Sequence, residues 1–368
     1  MSPSSTGWTH TGYAQQIVFG SRTIERLPEL TRALGVRRVL LVTTAGRLAS
    51  ADGQRVVAAL GRSLASTFAE VTSHVPTDLV QSALRNARRD AIDGIVSFGG
   101  GSCADLAKAV AFFTEQEAGT PGASFFDRPA VPHLSIPTTY SGAELTAHFG
   151  MTDPRTRQKS GAGGPTTAPS VAIYDVEASA ELPARASAET GMNALAHCIE
   201  AAWSPARTPE AEAIALAGVS RIVEALPRVV DAPDDLDARA RMLEGAVLGG
   251  RCLQNASMGV HHGLSQLVGG RTGIPHGLAN AVILKGAMRF NAGEVSESLA
   301  LALGGSDPAG AVEALTERLS LPSTLSEVGV TGDDIHAVAR LSQSNPNVRA
   351  NPRPCAEGDA LAILEGVF

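Results

Sequence analysis

A chain of 368 residues that is 44% hydrophobic and 18% charged is long enough for two domains, each with its own core, and has an ordinary globular composition. Its formal net charge of −7, with no run of Lys and Arg, argues against a general nucleic-acid groove. No apolar stretch reaches the roughly 18–20 residues that a membrane span needs, and the opening MSPSSTGWTHTGYAQQ lacks the basic-then-apolar layout of a secretory signal.

In chain order, residues 38–43 (RVLLVT) read as a buried strand. Residues 91–98 read as another, running into Gly99-Gly100-Gly101-Ser102 and then a helix from Ala104 to Phe113. Residues 133–137 are a third strand, leading into Thr138-Thr139, and residues 171–175 a closing one. Strands alternating with helical patterns predict a parallel sheet with helices on both faces. The stretch Gly161-Ala162-Gly163-Gly164-Pro165 reads as a flexible loop able to cover a cleft. Beyond about Leu182 long Ala/Leu/Glu-rich patterns dominate, as in 209–226 and 235–253. The expected organisation is an α/β domain over 1–178 and an all-α domain over 179–368. Cys103, Cys198, Cys252 and Cys355 form no CxxC pair, which reads as reduced, packed thiols of a cytoplasmic protein rather than a structural zinc site.

Three motifs carry chemistry. A glycine turn between strand and helix, Gly99-Gly100-Gly101-Ser102 with Asp105 one turn later, lets backbone N–H groups approach a pyrophosphate. A tight turn without a ligand is the alternative, and G-x-G-x-x-G is absent. The run from Ile136 to Glu144 ends a strand in hydroxyls that can bond phosphate or ribose, or merely cap a helix. The third motif is Asn193 and His197, four apart on a predicted helix, followed by His261-His262 and Pro275-His276. With Asp in place of Asn193 this set would be a divalent-metal site; with a neutral amide it binds a dication much less tightly. His276 stands at a predicted helix start, where the helix N-terminus favours a neutral imidazole.

These motifs, GGGSCADLAK (99–108), IPTTYSGAELT (136–146), GMNALAHCIEA (191–201) and HHGLSQLVGGRTGIPHGLANAV (261–282), occur together in this order in the iron-containing alcohol dehydrogenase superfamily. The chain resembles that family from about Tyr13 to its end. The resemblance implies a dehydroquinate synthase-like architecture: an α/β dinucleotide-binding domain, an all-α catalytic domain and an active site in the cleft between them. Metal-dependent members carry Asp where this chain has Asn193. The maleylacetate reductase branch is similar in having the asparagine, and also at His74-Val75-Pro76-Thr77, at Gly259-Val260-His261-His262 and in Asn351-Pro352-Arg353-Pro354. It implies a role in aromatic catabolism: metal-free reduction of an enone acid by NADH or NADPH, with Asn193, His197, His262 and His276 around the substrate. Imidazole N–H groups would then stabilise the enolate.

The cofactor-binding set expected from the resemblance is Gly99, Gly100, Gly101, Ser102, Asp105, Thr138, Thr139, Thr43 and Thr44. Threonines rather than an acidic residue after the first strand imply that both cofactors are tolerated. Arg157, Lys159, Arg251 and Arg271 are the cations nearest in sequence for substrate carboxylates, Arg251 and Lys159 being favoured. Departures bear on the substrate: Gln266 replaces a histidine usual in maleylacetate reductases, 277–280 keeps an alcohol-dehydrogenase-like form, and Leu284-Lys285-Gly286 replaces a Pro-His pair. Competing readings are an iron- or zinc-dependent alcohol dehydrogenase or aldehyde reductase using His197, His262 and His276, a redox-neutral lyase or cyclase, and a non-catalytic nucleotide binder. A small organic acid as substrate and a homodimeric state complete the expectations, with neither nucleic acid nor membrane as partner.

Overall fold

The computed structural model describes residues 12–119, 131–155 and 159–368. Its chain forms two compact units, one of Tyr13–Pro183 with Asp234–Leu243, the other of Ala184–Pro233 with Glu244–Phe368.

The first unit is built on strands β1 (Gln16–Gly20), β2 (Val39–Val42), β3 (Leu64–Phe68), β4 (Gly94–Gly99), β5 (His133–Pro137) and β8 (Val171–Asp175), with the pair β6 (His148–Thr152) and β7 (Lys159–Gly163) beside them. Six strands make one parallel sheet in the order β1-β8-β5-β4-β2-β3. Its helices are α1 (Leu27–Ala33), α2 (Ala45–Ala49), α3 (Ala51–Leu60), α4 (Thr77–Arg89), α5 (Gly101–Glu117) and α6 (Val176–Ser179). A strand covered on both faces must be apolar throughout, and all four residues of β2 are buried. Leu40 and Val42 enter one core with Val80 and Leu84 of α4 and Leu106 and Val110 of α5. Val39 and Leu41 enter the other, with Leu27 and Leu30 of α1 and Val56 and Leu60 of α3.

Two expectations are corrected here. The 91–98 strand begins only at Gly94, because Ala91 turns with φ +44° and the Asp93 carboxylate accepts the backbone N–H groups of Arg37 and Arg38. Residues 161–163 are not a loop but part of β7, antiparallel to β6. Glycine serves close approach there: a Cβ on Gly163 would lie 2.2 Å from the Ala147 carbonyl oxygen, and one on Gly161 3.1 Å from that of Phe149.

The second unit is helical: α7 (Ala184–Trp203), α8 (Pro209–Asp231), α9 (Leu236–Asn255), α10 (Val260–Thr272), α11 (His276–Phe290), α12 (Glu297–Ala302), α13 (Pro308–Arg318), α14 (Gly332–Ser342), α15 (Pro346–Arg349) and α16 (Glu357–Glu365). Thr208 caps α8 through the Ala211 N–H, and α8 runs past the expected end at Leu226 with Pro227 inside it. One apolar core draws on α10, α11, α14 and α16, including Leu264, Val268, Ile283, Val338 and Leu364. The opening turns of α9 group with the sheet unit instead, where the fully buried Arg239 donates to the Tyr140 hydroxyl (3.0 Å) and the Leu182 carbonyl (2.9 Å). Among the described residues no helix is long and apolar enough to cross a membrane.

Candidate functional site

In the sheet unit, the chain leaves β2 outward to β3 and then returns across β2 to β4. The order therefore reverses between β2 and β4, and the carboxyl ends of strands at such a point are where open α/β sheets take ligands. Thr43 and Thr44 follow β2, Gly99 ends β4 with Gly100 to Ser102 after it, and Thr138 to Ser141 follow β5. Gly99 has φ +150° and a Cβ there would lie 2.5 Å from Cys103 Sγ, so only glycine fits. Gly100 caps α5 without a side chain, leaving the Gly101 and Ser102 N–H groups for an anion. Across from it, a Cβ on Gly100 would be 3.1 Å from Thr139 Cγ2 and one on Gly101 3.1 Å from Ser141 Oγ. Thr139 Oγ1 and Ser141 Oγ are both buried without a partner among the described residues. Ser141 was quoted in its motif but not selected by sequence reasoning; a buried hydroxyl beside bare N–H groups is the feature that singles it out.

The other expected residues divide. Thr44 caps α2 through the Arg47 N–H. Thr43 is corrected: its side chain is fully buried and donates to the Phe98 carbonyl at 2.7 Å, so it straps β2 to β4 instead of facing a ligand. Asp105 is ion-paired at 2.8 Å with the buried Lys108, whose Nζ also donates to the Ala143 and His148 carbonyls and to Thr146 Oγ1. That lysine fastens the loop after β5 to α5.

In the helical unit, Asn193, His197 and Glu200 follow one another along α7, all buried. The His197 and His262 rings stack with centroids 4.7 Å apart, and the His276 ring centroid lies 6.2 Å from that of His262. All four expected residues of this cluster thus come together: Asn193 joins through Asn280, whose Nδ2 donates to Asn193 Oδ1 at 2.6 Å. His276 opens α11, as its sequence context predicts. Two members were missed. Glu200 lies three residues after His197 and Asn280 four after His276, so helical periodicity could have found both.

Glu200 Oε2 accepts from His262 Nδ1 at 2.6 Å, and its two oxygens accept the backbone N–H groups of His261 (3.0 Å) and His262 (3.3 Å). Burial pushes the Glu200 carboxyl up, but hydrogen bonds from His261 and His262 outweigh it and hold the group below the usual carboxylate range. Burial likewise lowers the His262 imidazole, with Glu200 opposing. Burial and the neighbouring imidazoles hold His197 well below the ordinary histidine value. His197 Nδ1 and His262 Nε2 are buried without a partner among the described residues.

Among the cations, Arg271 is corrected: it pairs with Asp334 at the surface (2.6 Å). Arg251 lies 3.7 Å from Glu210. Lys159 falls on β7, and Arg157 lies outside the described residues. Gln266 Oε1 accepts from Asn347 Nδ2 at 3.2 Å.

Residues 14–176 match the iron-containing alcohol dehydrogenase family, and residues 187–368 match the C-terminal region of the Fe-containing alcohol dehydrogenase family. The chain belongs to that family. It is an oxidoreductase. It is 33% identical to a maleylacetate reductase of Rhizobium sp. (strain MTP-10005) over 98% of this chain and 97% of that one. A Burkholderia cepacia maleylacetate reductase is 35% identical over 95% and 94% of the two chains. The crystal structure of a maleylacetate reductase from Agrobacterium tumefaciens superposes with a TM-score of 0.88 at 32% identity, covering 98% of each chain.

The family's name implies iron, and its fit rests on the donors present. Glu200, His261 and His262 bring ligand atoms within 4.8 Å of one another. Glu200 and His262 are already committed to each other: the carboxylate accepts three N–H groups, one of them from His262 Nδ1, while His261 Nε2 faces the Asn280 carbonyl at 2.9 Å and leaves Nδ1 as the open nitrogen of the set. At the other candidate set the would-be anionic ligand is the Asn193 amide, whose oxygen is held by Asn280. A buried dication with no anion in direct contact is poorly compensated. The set lacks an anionic ligand, and the nitrogens left to a dication are His197 Nδ1 and His262 Nε2.

Proposed function

We propose that this oxidoreductase reduces maleylacetate, or a closely related unsaturated keto acid, with NADH or NADPH and without a catalytic metal. The observation that carries the reading is Asn193 in the place of a ligating carboxylate, its oxygen held by Asn280 so that its NH₂ remains to donate. Hydride from the nicotinamide adds to the carbon β to the ketone, and the electron pair moves to the ketone oxygen as an enolate. Amide and imidazole donors at Asn193, His197 and His276 serve that charge; one well-placed donor is worth roughly 3–4 kcal/mol in such sites. The nucleotide's pyrophosphate takes the bare N–H groups of Gly101 and Ser102 and the unpartnered hydroxyls of Thr139 and Ser141, and Thr44 in place of an acid admits both NADH and NADPH. Cytoplasmic location and homodimeric assembly rest on likeness to the family.

The alternative, an iron- or zinc-dependent alcohol dehydrogenase, draws on the unpartnered nitrogens of His197 and His262. The test is NADH consumption with maleylacetate by protein stripped with a strong chelator and assayed for metal beforehand. Full turnover by metal-free protein is expected. Activity that returns only with iron or zinc overturns the reading in favour of the alternative.

A further inference from the structure

The α10 N-terminus has an unusual set of partners. A helix leaves its first N–H groups unpaired, and here buried side chains take three of them. Val260 N donates to Asn351 Oδ1 at 3.1 Å, while His261 N and His262 N donate to Glu200. A Cβ on Gly259 would stand 2.6 Å from Asn351 Oδ1 and 2.8 Å from Glu200 Oε1, so a side chain there would displace both. Two segments that mark the family resemblance, 259–262 and 351–354, thereby acquire one purpose: they seat an ionised carboxylate at the positive end of a helix.

That carboxylate fixes where the protons of two rings sit. Glu200 Oε2 can only accept, so His262 carries its proton on Nδ1 (2.6 Å). The Asn280 carbonyl can only accept, so His261 carries its proton on Nε2 (2.9 Å), leaving its Nδ1 bare 3.3 Å from His262 Nδ1. His262 Nε2 is then an open lone pair with no partner among the described residues.

We infer that Glu200 is a positioning residue that locks His262 in the Nδ1–H form, making Nε2 the nitrogen through which the site passes its proton. This rests on the reductase reading above. Hydride leaves the nicotinamide for the β-carbon and the enolate forms. His262 Nε2, having taken a proton from water, gives it to the α-carbon, and the electron pair returns from oxygen to restore the ketone. One NADH and one proton are consumed, the nicotinamide is oxidised, and the product is the saturated keto acid. Glu200 keeps its charge and stabilises the imidazolium while it lasts, as the buried carboxylate of a Ser-His-Asp triad does.

The test combines ¹⁵N NMR of histidine-labelled, metal-stripped protein with kinetics of Glu200→Gln and Glu200→Asp. The His262 signals are assigned by their loss in His262→Asn. In the unsubstituted protein the expected pattern is a proton on Nδ1 and none on Nε2. In Glu200→Gln, where one oxygen cannot serve all three N–H groups, that pattern is lost. With NADH and maleylacetate, Glu200→Gln is expected to lower kcat by about 10²–10⁴-fold with KM within a few-fold, and Glu200→Asp to recover part of the loss. A proton on Nε2 in the unsubstituted protein overturns the inference without any variant. So does an unchanged pattern in Glu200→Gln, or a changed pattern with full kcat. If the unsubstituted protein is inert toward maleylacetate, the substrate reading fails, and the NMR comparison still decides whether Glu200 governs His262.

Discussion

At Asn193 the proposed chemistry turns on one atom. Both Asn and Asp can accept the 2.6 Å hydrogen bond from Asn280 Nδ2, so the neighbouring structure tolerates either. They differ in what remains: Asn presents NH₂, Asp a second oxygen that repels a developing enolate. Asn193→Asp is therefore expected to fold normally, to lose at least about 10²-fold in metal-free kcat, and to retain zinc or iron that the unsubstituted protein does not. Steady-state kinetics and elemental analysis of the purified variant check both; undiminished metal-free turnover would remove Asn193 from the mechanism. The sequence alone made this residue legible because four-residue spacing on a helix aligns Asn193 with His197. It did not reveal which face of the amide is free, since that depends on Asn280, 87 positions away.

Among elements, the turn between β4 and α5 separates shape from ligand contact. Gly99 is required by its φ of +150° and by Cys103, whereas Gly100 has ordinary backbone angles (φ −77°, ψ −173°) and a Cβ there meets the Thr139 side chain, Cγ2 at 3.1 Å and Oγ1 at 3.4 Å. Gly99→Ala is expected to cost about 1–3 kcal/mol of stability in urea unfolding. Gly100→Ala should leave the unfolding midpoint nearly unchanged and weaken NADH at least about tenfold, as read by nucleotide fluorescence, because the new methyl occupies the space between bare N–H groups and hydroxyls. Equal losses of stability in the two variants would deny the distinction. The strand, the glycines and the hydroxyl run were all readable from composition and order. The β6–β7 hairpin was not: glycine and small residues signal a loop, and only the closeness of the Ala147 and Phe149 carbonyls explains them as a strand. Thr43 misled for a similar reason, its position at a strand end being visible and its bond to Phe98 not.

Across the whole molecule, each compact unit buries a neutral imidazole, and both make the fold acid-sensitive. His133 on β5 faces Ser97 Oγ at 2.7 Å, and Ser97 donates its own proton to Ser135. His133 must therefore donate from Nε2, which leaves Nδ1 buried and without a partner among the described residues. Burial, with the nearby Lys108 charge, pulls its pKa down to about 3. His197 in the helical unit is lowered in the same direction by burial and by His262 and His276. An unfolded chain protonates such a ring near its ordinary value of about 6.5, whereas the folded chain resists. Unfolding therefore takes up a proton in the window between, and stability present above about pH 6.5 falls as the pH is lowered. Each group contributes up to about 1.4 kcal/mol per pH unit inside its window. His133→Asn keeps a polar partner for Ser97 and does not titrate. Urea unfolding of both proteins at pH 7, 6, 5 and 4, followed by circular dichroism, is expected to show a shallower decline for the variant, by about 1.4 kcal/mol per unit below pH 6. Carboxylates that weaken the fold in acid are common to both proteins and cancel in the difference. Parallel declines would mean that His133 is protonated in the folded state near its ordinary pH, and that the sheet unit accommodates the charge through rearrangement around Ser97 and Ser135.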